Sequence, residues 1–275
     1  MRQAALDGVR GLACLAVVFY HAQVPGFAWG YMGVQLFFGL SGYVITGALL
    51  RREAAPFDLW RFWGRRLRRL LPPLAGMVVV VSAAAIVAHR ATLGQALTPA
   101  LYALGYVMDV AWFRGWDTGL LGHVWTLAVE LRFYAVMPFL APVLIRMGGA
   151  AGPALMVLAL GSCGAYFLGT ATYFTNGENP APFLLGAAAA CRPLPAVSWL
   201  RRALEWRPLA ALGLISYGVY LWGYPIDKVA AGLPWTARLA VDCAIAVPAA
   251  IVSYLTVERW AGCAREALWP RVGRP

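Results

Sequence analysis

The chain has 275 residues, 61% of them hydrophobic and only 13% charged, with a mean hydropathy of +0.66. Soluble domains carry roughly 25% charged residues, so a soluble fold is excluded, and too little chain lies outside the apolar runs for a second folded domain. The 23 basic against 12 acidic residues, net +11, would suggest nucleic acid in a soluble protein. Here the arginines sit in short segments between apolar runs, where the positive-inside rule accounts for them.

Apolar runs of spanning length recur along the chain, which predicts an all-α, polytopic transmembrane helical bundle in a single domain over 1–275. The first run, about 9–27, follows LDGVRG at 6–11 and contains His21. Asp7 and Arg10 lead directly into it, as in a retained signal-anchor. Arg10 and His21 are 11 residues apart, so on a helix they share a face to within about 20° and lie about 16 Å apart along its axis. His21 then falls near mid-membrane or a little beyond, where an ionisable group is costly and marks function. The competing reading places its ring in the outer headgroup zone. A second span, 30–50, is rich in Gly and Ser, which allow close helix packing. The stretch 51–69 holds seven arginines and is predicted to be a basic cytoplasmic loop, which puts the N-terminus inside. A third span, 71–88, opens on Pro72-Pro73, suited to a first helical turn.

Further spans are expected at 124–146, 153–173, 181–191, 208–226 and 235–257. The basic loop 192–207 and the basic tail 258–275 are both cytoplasmic only if the apolar segment 93–113 does not cross. The expectation is therefore about eight crossings, both termini cytoplasmic, and 93–113 re-entrant or held on the outer side. Asp109 within that segment suits a non-lipid environment. The polar loop Asn176-Gly177-Glu178-Asn179 then lies outside. The five cysteines, Cys14, Cys163, Cys191, Cys243 and Cys263, show neither CxxC nor metal-ligand spacing and read as small packing residues. No metal is expected. There is no P-loop, HExxH or dinucleotide fingerprint, and Gly39-Leu-Ser41-Gly-Tyr43 is not a GxSxG elbow because position 43 is Tyr.

Two stretches can carry chemistry. In Arg61–Pro72, continued as a helix, Arg66 and Arg69 share a face, as do Arg65 and Arg69. Paired guanidinium forks suit phosphate, and the same charges also attract anionic lipid at about 1 kcal/mol each. In His123–Tyr134, Glu130 lies about 9 Å below Val124 along a helix, with Tyr134 one turn deeper on the same face and Arg132 pointing elsewhere. A buried carboxylate must pair or be protonated. Glu130 is either half of a helix–helix ion pair or a partner for His21 or a substrate hydroxyl. Ser216, Tyr217 and Tyr220 can hydrogen-bond across the bundle. Arg238 and Asp242, at i and i+4, can satisfy each other, and Val257-Glu258-Arg259-Trp260 reads as an end anchor.

Taken in order, LDGVRG with His21, GVQLFFGLSGYVI, RRLRRLLP, HVWTLAVELRFY, GLISYGVYLW and SYLTVERW resemble acyltransferase family 3, integral membrane acyltransferases. The resemblance covers most of the chain. It implies transfer of an acyl group, commonly acetyl, from cytoplasmic acyl-CoA as co-substrate to a hydroxyl of a carbohydrate or glycoconjugate, in a bacterial inner membrane. It implies that His21 is the essential span-1 histidine. Arg66 and Arg69, with Arg65 beside them, match the RxxR arginines linked to acyl-CoA, Arg10 the DGxRG arginine, and Glu130 the glutamate of the WSLAVE motif. The partners implied are acyl-CoA, the hydroxyl acceptor and the lipid bilayer, with no bound cofactor. Several positions depart from the pattern: Gln35 for an aspartate, Leu131 for a second glutamate, Gly223 for the histidine of YLWHxP, and Trp260 for proline. The family's usual two further spans between Gly186 and Gly213 are replaced by a basic stretch. The alternative readings are a transporter of a polar or lipid-linked solute and a non-catalytic membrane partner derived from such an enzyme.

Overall fold

The computed structural model describes residues 4–50, 58–167, 180–191 and 197–258. Its elements are α1 Ala4–His21, α2 Met32–Leu50, α3 Leu59–Val87, α4 Leu93–Leu104, α5 Met108–Phe113, α6 Trp125–Met147, α7 Ala151–Phe167, α8 Ala181–Ala190, α9 Ser198–Leu204, α10 Arg207–Val229, α11 Trp235–Val241 and α12 Val247–Ser253. Six stretches are long and apolar enough to cross a membrane, at 4–21, 28–50, 59–87, 119–165, 207–229 and 235–257. The fourth is 47 residues long and contains both α6 and α7, which meet at Gly148, whose φ is +53°. The shorter apolar helix is α8, with ten residues.

Helix directions follow from which residues meet. Neighbours α1 and α10 run parallel: Asp7 lies against Gly213, Cys14 packs with Val219, and His21 meets Tyr224. Antiparallel to α1 runs α2, with Gly33 against Ala13 and Gly30 against Ala16. The α11–α12 run is antiparallel to α10, since Asp227 meets Arg238 and Gly218 meets Ala250. One end of the bundle therefore carries the start of α1 and the other carries His21. Between the two ends run α1, α2, α3, the α6–α7 stretch, α10 and the α11–α12 run, whereas α8, at ten residues about 15 Å long, is too short to cross alone, so among the described residues six stretches of spanning length stand against the eight crossings expected.

The segment 93–113 is broken into α4, of 12 residues, and α5, of six, with Tyr106 between them at φ +53°. At 1.5 Å per residue α4 is about 18 Å long, short of a hydrocarbon core of about 30 Å. These two helices pack on the far half of α3 and the start of α6 around Met77, Ala103, Met108 and Val124. Asp109 is 2% exposed and forms an ion pair with Arg132 of α6. The carboxylate is thus held by protein, and Arg132 points away from Glu130 to reach it.

The structure corrects three boundaries. First, α1 stops at His21 instead of running on to 27. Gln23 adopts φ +59°, Gln23 N–H donates to the Tyr20 carbonyl, and Val24 N–H donates to that of Phe19 at 3.0 Å, the closing pattern of a Schellman turn. His21 therefore ends its helix and is not deep within a longer one. Second, residues 59–69 of the supposed basic loop are helix: Asp58 caps the N-terminus by accepting from Arg61 N–H at 2.8 Å, and arginine is a good helix former. Third, the basic stretch 192–207 contains α9. The Asn176–Asn179 loop, Arg192, and the 258–275 tail from Arg259 onward lie outside the described residues.

Glycines set the helix spacing. A Cβ on Gly213 would fall on the Asp7 carbonyl, and one on Gly186 on the Gly39 backbone. Backbone cannot move aside as a side chain can. Overpacking costs typically 1–3 kcal/mol, so Gly213→Val is expected to lower the thermal midpoint of the purified protein by about 5–10 °C. At Gly76 a Cβ meets nothing within 4 Å, and Gly76→Ala should leave the midpoint unchanged in the same melting assay.

Candidate functional site

Two adjoining cavities lie along α1. The first contains about 830 Å³ of empty space, counted to its open side, and is lined by Arg10, Arg66, Arg69, Ser41, Glu130 and Tyr134 among others. Helix α3 presents Arg66 and Arg69 one turn apart. Pro72 and Pro73 follow within the same helix and lack the N–H groups that would bond the carbonyls of Arg68 and Arg69. The next carbonyl, Leu70, is taken by the Tyr217 hydroxyl of α10 at 2.7 Å. That bond ties α3 to α10 just beyond the arginines. The Arg66 guanidinium lies 5.4 Å from the Tyr134 ring and 5.6 Å from the Phe62 ring, within cation–π range. Arg10 donates to Asp7 at 3.0 Å, and Asp7 is 3% exposed. Arg65 is half-buried on α3 and is not on the cavity lining.

Glu130 lines this first cavity. It accepts a 2.6 Å hydrogen bond from the Ser41 hydroxyl of α2 and a short one from Tyr134. Arg10 is paired with Asp7, so Arg66 and Arg69 are left to face one carboxylate, Glu130, whose oxygen is already held by hydroxyl donors. That surplus of fixed positive charge suits an anionic, phosphate-bearing ligand. Glu130 and His21 line different cavities, so the pairing of Glu130 with His21 allowed by sequence is not made here. Tyr224 and His123 occupy the space beside His21 instead.

The second cavity, narrower inside and with about 400 Å³ of empty space only when counted out to its open side, is lined by His21 together with Cys14, Val219, Gly223, Tyr224 and Asp242. The His21 ring meets Tyr224 edge-on at 5.2 Å, and Tyr224 stacks on His123 at 4.7 Å. His123 is 5% exposed, with Nε2 3.2 Å from the Leu221 carbonyl and Nδ1 buried without a partner. Phe37 and Tyr220 line both cavities and form the partition between them. The Tyr220 hydroxyl donates to the His123 carbonyl and lies 2.5 Å from Thr126 Oγ1.

The end of α1 is clamped. Arg238 forks onto Asp227 of α10 at 2.8 and 2.6 Å, both side chains being 5% exposed, and its Nη2 also donates to the His21 carbonyl at 2.7 Å. A cation at a helix C-terminus, bonded to one of its last carbonyls, suits the helix dipole as well. This corrects the expected pairing of Arg238 with Asp242: the guanidinium reaches across to the neighbouring helix, and Asp242 Oδ1 is buried without a hydrogen-bond partner. Sequence reasoning passed over Ser41, Thr126, Asp227 and the contact role of Arg238. Of the three polar groups expected to bridge helices, Tyr217 and Tyr220 do so, whereas Ser216 donates to the Gly213 carbonyl of its own helix at 2.9 Å. No cluster of three or more His, Cys, Asp or Glu suited to a metal occurs among the described residues.

Fold and site define a polytopic membrane protein in which a cationic cavity adjoins a histidine-bearing one. The chain belongs to acyltransferase family 3: the family model, described as an acyltransferase domain, matches residues 3–260. The O-acetyltransferase OatA of Staphylococcus aureus, from strains NCTC 8325 / PS 47 and COL, is 31% identical over 150 residues, 51% of this chain and 25% of the relative. SACOL0978 of S. aureus strain COL is 33% identical over 149 residues, with the same coverage of both chains. The chain therefore matches about a quarter of the length of these relatives. No solved structure gives a significant match.

Proposed function

We propose that this protein is a membrane-bound O-acyltransferase that moves an acyl group, acetyl in the first instance, from acyl-CoA to a hydroxyl of a carbohydrate or glycoconjugate. Membership of the family and the O-acetyltransferase names of the relatives support the reaction class. The observation that carries the reading is the sequence of cavities along α1: Arg10, Arg66 and Arg69 in one, His21 in the next, with only Phe37 and Tyr220 shared between them. The arginines hold the phosphates of coenzyme A at their end. The thioester is carried past the partition toward His21. There the acceptor hydroxyl oxygen bonds to the acyl carbon as the carbon–sulfur bond breaks. His21 takes the hydroxyl proton as general base and passes it to the departing thiolate. The products are the O-acyl ester and free coenzyme A.

Sidedness follows from charge. The arginine-bearing start of α3 and the start of α1 lie at one end, and Leu204, at the end of α9 with Arg201 and Arg202, packs on Gly8 of α1. The positive-inside rule supports a cytoplasmic side for this end, and with it for the start of α1 and the close of the α11–α12 run, which is the reading proposed here of a multi-pass protein of the cytoplasmic membrane with both termini inside. The test is binding of radiolabelled acetyl-CoA to purified protein. Each charge-assisted contact is worth about 1.5–3 kcal/mol, so Arg66→Ala/Arg69→Ala, which removes two, is expected to weaken binding by at least about 100-fold. Unchanged affinity, or no binding by the unmodified protein, would overturn the reading and leave the transporter or the non-catalytic partner.

A further inference from the structure

The His21 cavity carries two features that packing does not explain. Asp242 lines it, is 5% exposed, and has an Oδ1 with no hydrogen-bond partner. A buried acceptor left unpaired costs about 1–3 kcal/mol, and more when charged. Arg238, one turn away, is committed to Asp227 and to the His21 carbonyl. Asp242 also opens a π-helical turn, Asp242–Ala246, a distortion that concentrates at functional sites. The second feature is Gly223. It lines the cavity, yet a Cβ there would meet nothing within 4 Å. No close approach of helices requires a glycine at 223, so the missing side chain is simply cavity space.

The walls are otherwise mostly apolar, from Cys14, Val17, Val18, Phe37 and Val219, and the free interior is about the size of one water molecule. Such a space admits one small polar group and needs a donor for Asp242. The reacting hydroxyl cannot be that donor, because its single proton is directed to His21. A second hydroxyl on the adjacent carbon can.

We infer that this cavity is an acceptor subsite for the hydroxyl adjacent to the one acylated: Asp242 accepts its hydrogen bond, Gly223 leaves room for it, and the enzyme thereby selects vicinal diols, the pattern of carbohydrates. The inference rests on the acyl-transfer reading. Asp242 takes no proton in the reaction; it orients the acceptor so that the reacting hydroxyl faces His21.

Ethylene glycol and 2-methoxyethanol, in which one hydroxyl is blocked, serve as probes. Purified enzyme is expected to acetylate ethylene glycol from acetyl-CoA with a kcat/KM about tenfold above that for 2-methoxyethanol, as one hydrogen bond to a charged group allows. Asp242→Ala, which removes the acceptor, should abolish that preference by raising the KM for ethylene glycol, with the KM for acetyl-CoA unchanged. Gly223→Val should lower turnover of ethylene glycol about tenfold or more. Equal use of both probes by the unmodified enzyme, or a preference surviving in Asp242→Ala, overturns the inference. A second measurement needs no turnover. In a background with the native cysteines replaced by alanine, Gly223→Cys should react with methyl methanethiosulfonate, and ethylene glycol should slow that reaction more than 2-methoxyethanol does. No labelling, or equal slowing, also overturns it. Loss of acetyl-CoA binding in Arg66→Ala/Arg69→Ala reports on the transfer reading alone, so the two failures are distinguishable.

Discussion

His21→Ala is expected to lower acetyl transfer by about 10²–10⁴-fold, the usual contribution of a positioned base, while acetyl-CoA affinity stays within about twofold of the unmodified protein. The two halves of this expectation come from different parts of α1. Arg10 lines the arginine cavity and His21 the next one. Their separation along the helix is about 16 Å, so removal of the imidazole leaves the donor-binding groups untouched. The fold should survive as well. Arg238 bonds the His21 carbonyl and not its ring, so alanine keeps the clamp on the helix end. The ring itself touches Tyr20 and Tyr224 only through edge contacts at 5.3 and 5.2 Å. Label transfer and acetyl-CoA binding measured on one preparation check the expectation. Undiminished transfer at normal expression would remove His21 from the mechanism.

Much of the architecture was legible because bilayer thickness and arginine placement are strong constraints on a chain of this composition. The parity argument that kept 93–113 from crossing agrees with two short helices broken at Tyr106. The alignment of Arg66 with Arg69 was legible too, since helix period alone decides it. What periodicity cannot supply is the partner on another helix. From sequence Glu130 stands open between a helix–helix ion pair, a partner for His21 and a partner for a substrate hydroxyl, the second allowed because both residues occur toward the same end of their spans. The structure gives it Ser41 and Tyr134, because rotation of α6 turns that face to α2. The end of α1 was missed for a local reason: Gln23 takes the left-handed conformation, which glycine or asparagine usually signals. The Asp227–Arg238 pair had a usable signal. In an antiparallel hairpin centred on Gly232, position 227 lies opposite about 237. The local i, i+4 rule pointed Arg238 at Asp242 instead, and it lost because Asp227 offers both oxygens to the guanidinium fork.

That pair carries the second large effect. Asp227→Leu alone, or Arg238→Met alone, is expected to destabilise the protein by about 3–5 kcal/mol, since each leaves an uncompensated buried charge. The double variant Asp227→Leu/Arg238→Met should recover most of this loss, because a well-packed apolar pair of similar volume often replaces a buried ion pair at little cost. At about 2–4 °C per kcal/mol, the single variants fall about 10 °C below the unmodified protein in thermal unfolding, with the double variant well above them. Transfer activity should not follow the same course. Arg238 also holds the His21 carbonyl, and methionine cannot replace that donor. The double variant therefore regains stability but not the fixed end of α1, and its kcat should stay well below that of the unmodified enzyme with acetyl-CoA affinity unchanged. If kcat instead returned together with stability, the clamp would be a packing device for α10 and α11 and no part of the positioning of His21.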